Sequence, residues 1–72
     1  MENFSERLRG LRKAKGVKQT DLALLLDVTP RHYQEIEYGH IDIPMSKVVT
    51  LADYFNVSID YLVGRSDDPA RR

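Results

Sequence analysis

The chain has 72 residues, no cysteine, and 11 basic against 11 acidic side chains. That length gives one domain burying only about 60% of its unfolded surface; the missing cysteines exclude disulfides and cysteine-based zinc sites. Apolar residues at 42% and charged residues at 31% exclude a disordered chain.

The first helix is expected over residues 3–15. Phe4, Leu8 and Leu11 recur on one helical face, Gly16 supplies the stop, and Arg12, Lys13 and Lys15 complement the dipole in the last turn. A second helix should begin at Lys18 or Gln19 and end at Leu26 or Asp27. Leu22, Ala23 and Leu26 share its buried face, while Leu24 and Leu25 are in excess, so one of them should meet solvent or a partner. Thr29 is suited to cap a third helix with Pro30 at its first position, where no N–H is needed. This helix should run to about Tyr38 and stop at Gly39, with Tyr33, Ile36 and Glu37 inward and Arg31, Gln34, Glu35 and Tyr38 outward. A loop follows over residues 40–44. The fourth helix, residues 45–55, carries Met45, Val48, Leu51, Ala52 and Phe55 at helical spacing, with Asn56 as a left-handed cap. Ser58 caps a short fifth helix ended by Gly64. The fold class is therefore all-α, a compact five-helix domain over residues 1–66, with residues 67–72 expected as a flexible tail.

The longest apolar run, Leu22-Ala23-Leu24-Leu25-Leu26, is too short to span a bilayer, and the polar N-terminus carries no signal peptide. The expectation is a cytoplasmic protein with no membrane partner. Net charge is zero, but the charges are segregated. Residues 1–20 hold six bases (Arg7, Arg9, Arg12, Lys13, Lys15, Lys18) against two acids, whereas residues 21–60 hold two bases against seven acids. Such segregation permits a basic face at the N-terminus, where phosphate attraction would reside; a solvated basic helix explains it as well.

Gln19-x-x-Leu22-Ala23, then Val28-Thr29, then a short helix ending Ile36-Glu37-x-Gly39, resembles the helix-turn-helix of the phage-repressor and Cro-like family, also called the xenobiotic-response-element family. The run Leu51-Ala52-Asp53-Tyr54-Phe55-Asn56-Val57-Ser58-Ile59-Asp60-Tyr61-Leu62-Val63-Gly64 and the start Phe4-Ser5-Glu6-Arg7-Leu8-Arg9-x-Leu11-Arg12 are similar to the flanking blocks of that domain. The resemblance covers residues 4–66, with the helix-turn-helix over about 18–39. It implies a lambda-repressor-like fold whose third helix enters the major groove. Thr29, Pro30, Arg31, Gln34 and Glu35 then match base-reading positions. Lys18, Gln19, His32, Tyr38 and His40 match positions beside the DNA backbone. Arg12 and Glu37 match a structural ion pair between the first and third helices.

The chemistry of these side chains bears on each assignment. Arg31 fits the O6 and N7 acceptors of guanine, against an exposed charge or a phosphate contact; Gln34 fits adenine, against a solvated amide. Glu35 is repelled by phosphate, but it can accept from cytosine or pair with Arg31 four residues earlier. Tyr33 is expected in the core with its hydroxyl at the rim. Lys18 stands where the family has a capping side chain, so a phosphate contact would compensate. The loop His40-Ile41-Asp42-Ile43-Pro44 offers few donors. His32 and His40 have no third partner for a metal, and Asp42, Asp53 and Asp60 lie on different elements. No catalytic or phosphate-loop motif is present, so neither an enzyme nor a cofactor is expected.

Two functions fit. One is a transcriptional regulator, a repressor by preference, that binds double-stranded DNA as a homodimer. The other is a protein-interaction module on the same fold, an antitoxin or an antagonist of another regulator, for which zero net charge, Glu35 and the Leu24-Leu25 excess argue.

Overall fold

The computed structural model describes residues 3–71, which form five helices and no strand. They are α1 (Phe4–Lys15), α2 (Gln19–Leu25), α3 (Pro30–Glu37), α4 (Met45–Phe55) and α5 (Ile59–Leu62). The second helix, expected to reach Leu26 or Asp27, ends at Leu25, and the third, expected to reach Tyr38, ends at Glu37, with Leu26 and Tyr38 as caps.

At the start of four helices a side chain accepts from a backbone N–H, whereas α4, behind Pro44, has no side-chain cap. Asn3 and Glu6 form a reciprocal capping box on α1. Thr29 Oγ1 accepts from the His32 N–H at 3.1 Å, with Pro30 at the first helical position. Ser58 Oγ accepts from the Tyr61 N–H at 3.0 Å. The α2 start is the exception in kind: the Asp21 carboxylate accepts from the Lys18 N–H at 2.8 Å, and the Lys18 side chain takes no part.

All five helices end alike. An N–H five residues on reaches back to a carbonyl in the last turn: Val17 to Arg12, Val28 to Ala23, His40 to Glu35, Val57 to Ala52 and Arg65 to Asp60. This is the Schellman closure, which needs a left-handed residue inside it. Gly16, Gly39 and Gly64 fill that role, joined by Asp27 at φ 57° and Asn56 at φ 55°. Asp and Asn tolerate this conformation better than other side-chain-bearing residues. Asp27 makes the turn between α2 and α3.

The core draws on every helix: Leu8 from α1; Leu22 and Ala23 from α2, with Leu26 at its cap; Tyr33 and Ile36 from α3; Val48, Leu51 and Ala52 from α4; Leu62 from α5, beside Val57. Both Leu24 and Leu25 meet solvent, Leu24 at 84% exposure and Leu25 at 38%, where one of the two was expected to. Lys47 Nζ reaches the Leu26 carbonyl at 2.6 Å and ties the start of α4 to the end of α2.

Arg7 departs from the expected basic face. It is buried, with its guanidinium 3.9 Å from the Tyr61 ring centroid and Nη2 3.3 Å from Asp67 Oδ1. In the segment expected as a flexible tail, the Pro69 carbonyl accepts from the Ser58 N–H at 3.1 Å. Arg71 donates to the Ala52 carbonyl at 2.9 Å and lies 2.6 Å from Asp53.

Candidate nucleic-acid interface

Helix α3 divides cleanly into two faces. Tyr33, Ile36 and Glu37 are buried, whereas Pro30, Arg31, His32 and Gln34 are exposed. The inner face is held by a polar lock. Arg12 Nε and Nη2 donate to Glu37 Oε2 and Oε1 at 2.8 and 2.9 Å, a two-point contact from α1 to the end of α3. Arg12 Nη1 also donates to the Val17 carbonyl at 3.3 Å. Gln19, the first residue of α2, donates from Nε2 to Glu37 Oε1 at 3.3 Å. One carboxylate thus joins three helices.

Burial works against the Glu37 charge, but hydrogen bonds from Arg12 and the polar groups of Tyr33 and Gln19 outweigh it and hold its pKa below the ordinary carboxylate range. The same surroundings move Tyr33 the other way. Burial first, then the adjacent Glu37 charge, push its phenol well above the ordinary range. Its hydroxyl is enclosed, not at the rim as the sequence suggested, and it makes no hydrogen bond of good geometry despite lying beside Glu37.

The lock extends outward by one step. With its amide nitrogen turned to Glu37, Gln19 offers Oε1, which accepts from Gln34 Nε2 at 3.4 Å. This long contact leaves Gln34 one amide hydrogen and its carbonyl oxygen, the donor–acceptor pair that adenine requires. Gln19 and Gln34, expected on the DNA backbone and on bases respectively, are therefore neighbours.

On the outer face the expected Arg31–Glu35 pair does not form. Glu35 Oε2 instead meets His40 Nδ1 at 2.6 Å. Arg31 is exposed and has no hydrogen-bond or ion-pair partner among the described residues. The physical reason lies in the closing turn, which carries His40 back over Glu35 and is invisible to a helix-periodicity argument. Thr29 spends its acceptor on the α3 cap and keeps its hydroxyl proton. Tyr38 is exposed, its ring centroid 6.0 Å from that of His40. Lys18 and His32 are exposed as well.

The basic supply is smaller than the sequence count. Of the six bases in residues 1–20, Arg7 is committed to Tyr61 and Asp67 and Arg12 to Glu37. Lys15 lies 5.0 Å from the Tyr54 ring centroid. That leaves Arg9, Lys13 and Lys18 of the six, with Arg31 on α3, uncommitted to such contacts among the described residues. Sequence reasoning also missed the Asn3–Glu6 box, although an acceptor three residues before a glutamate is its usual signal. Among the described residues no cluster of three or more metal-ligating side chains occurs, and no helix is long and apolar enough to cross a membrane.

A helix-turn-helix family model matches residues 8–62. The chain is 36% identical over 66 residues to an uncharacterized HTH-type transcriptional regulator, YobD, of Bacillus subtilis (strain 168), a match covering 92% of this chain and 59% of the relative. It thus spans about three fifths of that relative's length. Among solved structures it is similar to a transcriptional regulator from Listeria innocua, with TM-score 0.83 and 39% identity over 86% of this chain and 58% of the other. It is also similar to the restriction-modification controller protein C.AhdI from Aeromonas hydrophila, with TM-score 0.72 and 30% identity over 82% and 89% of the two chains.

Proposed function

This chain belongs to the helix-turn-helix family, and from that premise we infer that it is a sequence-specific DNA-binding transcriptional regulator. The observation that carries the reading is the two-faced α3: its inner side is locked to α1 and α2, and its outer side presents Arg31 and Gln34 to solvent. A rigid helix bearing exposed donors suits a major groove, where Arg reads guanine and Gln reads adenine. Thr29 and Pro30 lie at its leading end, and Lys18, Gln19, His32 and Tyr38 flank it for phosphate contact. The protein acts in the cytoplasm as a homodimer and a repressor, with two α3 helices about 34 Å apart on one face of a palindromic site. The names of YobD and the Listeria protein support regulation of transcription. No catalysis and no cofactor enter this function.

The test is binding of a labelled duplex in competition with charge-matched DNA at low and moderate salt. The reading expects a sequence preference that persists as salt weakens the phosphate contribution; equal affinity for every duplex rejects it.

Leu24 favours a second reading, a protein-interaction module. An aliphatic side chain 84% exposed on α2 suits a protein partner better than DNA. Arg31→Ala separates the two: it abolishes DNA preference in the first reading and leaves partner binding untouched in the second.

A further inference from the structure

The outer face of α3 carries one clear cation and one anion, four residues apart. Side chains on a helix lean toward its N-terminus. Left alone, Glu35 would lean toward Arg31 and pair with it, as exposed charges at this spacing do. The structure shows the carboxylate drawn the other way, to His40 Nδ1 at 2.6 Å.

The turn after α3 makes that possible. The Gly39 N–H bonds the Ile36 carbonyl at 3.1 Å, and the His40 N–H bonds the Glu35 carbonyl at 2.9 Å. These two bonds place residue 40 directly beside residue 35, a pairing usually filled by an apolar contact. Gly39 sits at φ 80°, and a Cβ there would stand 3.2 Å from Ser5 Oγ, so the turn is pinned against α1. A lone carboxylate at a helix C-terminus is disfavoured by the dipole, which adds to the need for a donor beside it. Both side chains remain accessible, His40 at 64% and Glu35 at 36%.

Resting on the DNA-binding reading above, we propose that His40 is a positioning residue that holds Glu35 away from Arg31, leaving the Arg31 guanidinium free to read a base. His40 need not touch DNA for this. Its Nδ1–H donates to Glu35 and offsets the one carboxylate on the reading face. Without it, Glu35 recaptures Arg31, and the reading face loses its cation.

The experiment is a double-mutant cycle on the duplex that the wild-type protein enriches from a random pool. His40→Ala should weaken binding by about threefold to tenfold, between the strength of an exposed pair at this spacing and a full guanine contact. In the Glu35→Gln background the same change should cost nothing, because no carboxylate is left to capture Arg31. His40→Lys should restore affinity by supplying another donor to Glu35. His40→Ala should also reduce preference at the base pair whose preference Arg31→Ala abolishes, with the urea midpoint of the free protein little changed. An equal loss in both Glu35 backgrounds overturns the proposal and makes His40 a direct phosphate contact. Weaker preference at every position alike overturns it too. Failure of the wild-type protein to enrich any duplex rejects the DNA-binding reading itself, and this inference with it.

Discussion

Glu35 and Glu37 lie two residues apart on one short helix and carry the same functional group. Glu37 is 1% exposed and takes hydrogen bonds from α1 and α2. Glu35 is half-buried and takes its bond from a neighbour five residues away in the chain. Two residues amount to about 200° around a helix, which puts one carboxylate inside the lock and the other on the reading face. The inner one sets the angle at which α3 is held; the outer one sets the charge that α3 presents. The lesson is that an ion pair's role follows from its burial and its partner's origin, not from its chemistry.

Substituting the two glutamates gives the sharpest contrast. Glu37→Ala leaves the Arg12 charge without its partner and should cost about 3–5 kcal/mol, the penalty for breaking a buried pair. A domain this small has little more than that to lose, so the urea transition should shift to near zero denaturant. Glu35→Ala should shift it by about 1 kcal/mol at most, since exposed pairs contribute little.

Acid titration probes the same asymmetry without mutation. The unfolded chain protonates Glu37 at the ordinary value of about 4.3, whereas the folded chain holds that group lower. Stability from this group is therefore complete above about pH 4.3 and is lost as pH falls through the folded value. The urea midpoint should decline steeply below that point, in wild type and in Glu35→Gln alike. An unchanged midpoint down to pH 2 would show that the lock contributes nothing.

The outer face should respond in binding and not in stability. Arg31→Ala should cost about 1–3 kcal/mol in specific DNA affinity, the worth of a bidentate base contact, with the thermal midpoint held. A modest effect on stability is expected at the leading end of α3. Thr29→Ala removes the acceptor for the His32 N–H and should cost about 1 kcal/mol in urea. If Thr29→Ala destabilised as much as Glu37→Ala, the division between an inner lock and an outer face would fail.

Much of this arrangement was legible in local sequence. Leu8, Leu22, Ile36 and Leu51 announce buried faces by spacing, and Thr29-Pro30 announces the start of α3. The glycines at 16, 39 and 64 announce stops. What was not legible depended on the chain returning to itself. Arg7 reads as an exposed base because nothing near it reveals Tyr61 or Asp67, some sixty residues on. Tyr33 reads as a core ring with its hydroxyl at the rim because that group is polar, yet the core closes over the hydroxyl as well. Glu35 reads as a partner for Arg31 because helical geometry alone pairs them, and only the turn at Gly39 introduces His40 as competitor. The Arg12–Glu37 assignment came from family resemblance, since no local pattern joins residues on α1 and α3.

Whether the exposed face of the locked α3 reads DNA sequence is decided by selecting bound duplexes from a random pool. A two-fold symmetric site should be enriched, with half-sites centred about one helical turn apart, and preference at one position per half-site should be lost in Arg31→Ala. Recovery of the input pool without enrichment, or an unchanged motif in Arg31→Ala, would contradict that role for α3.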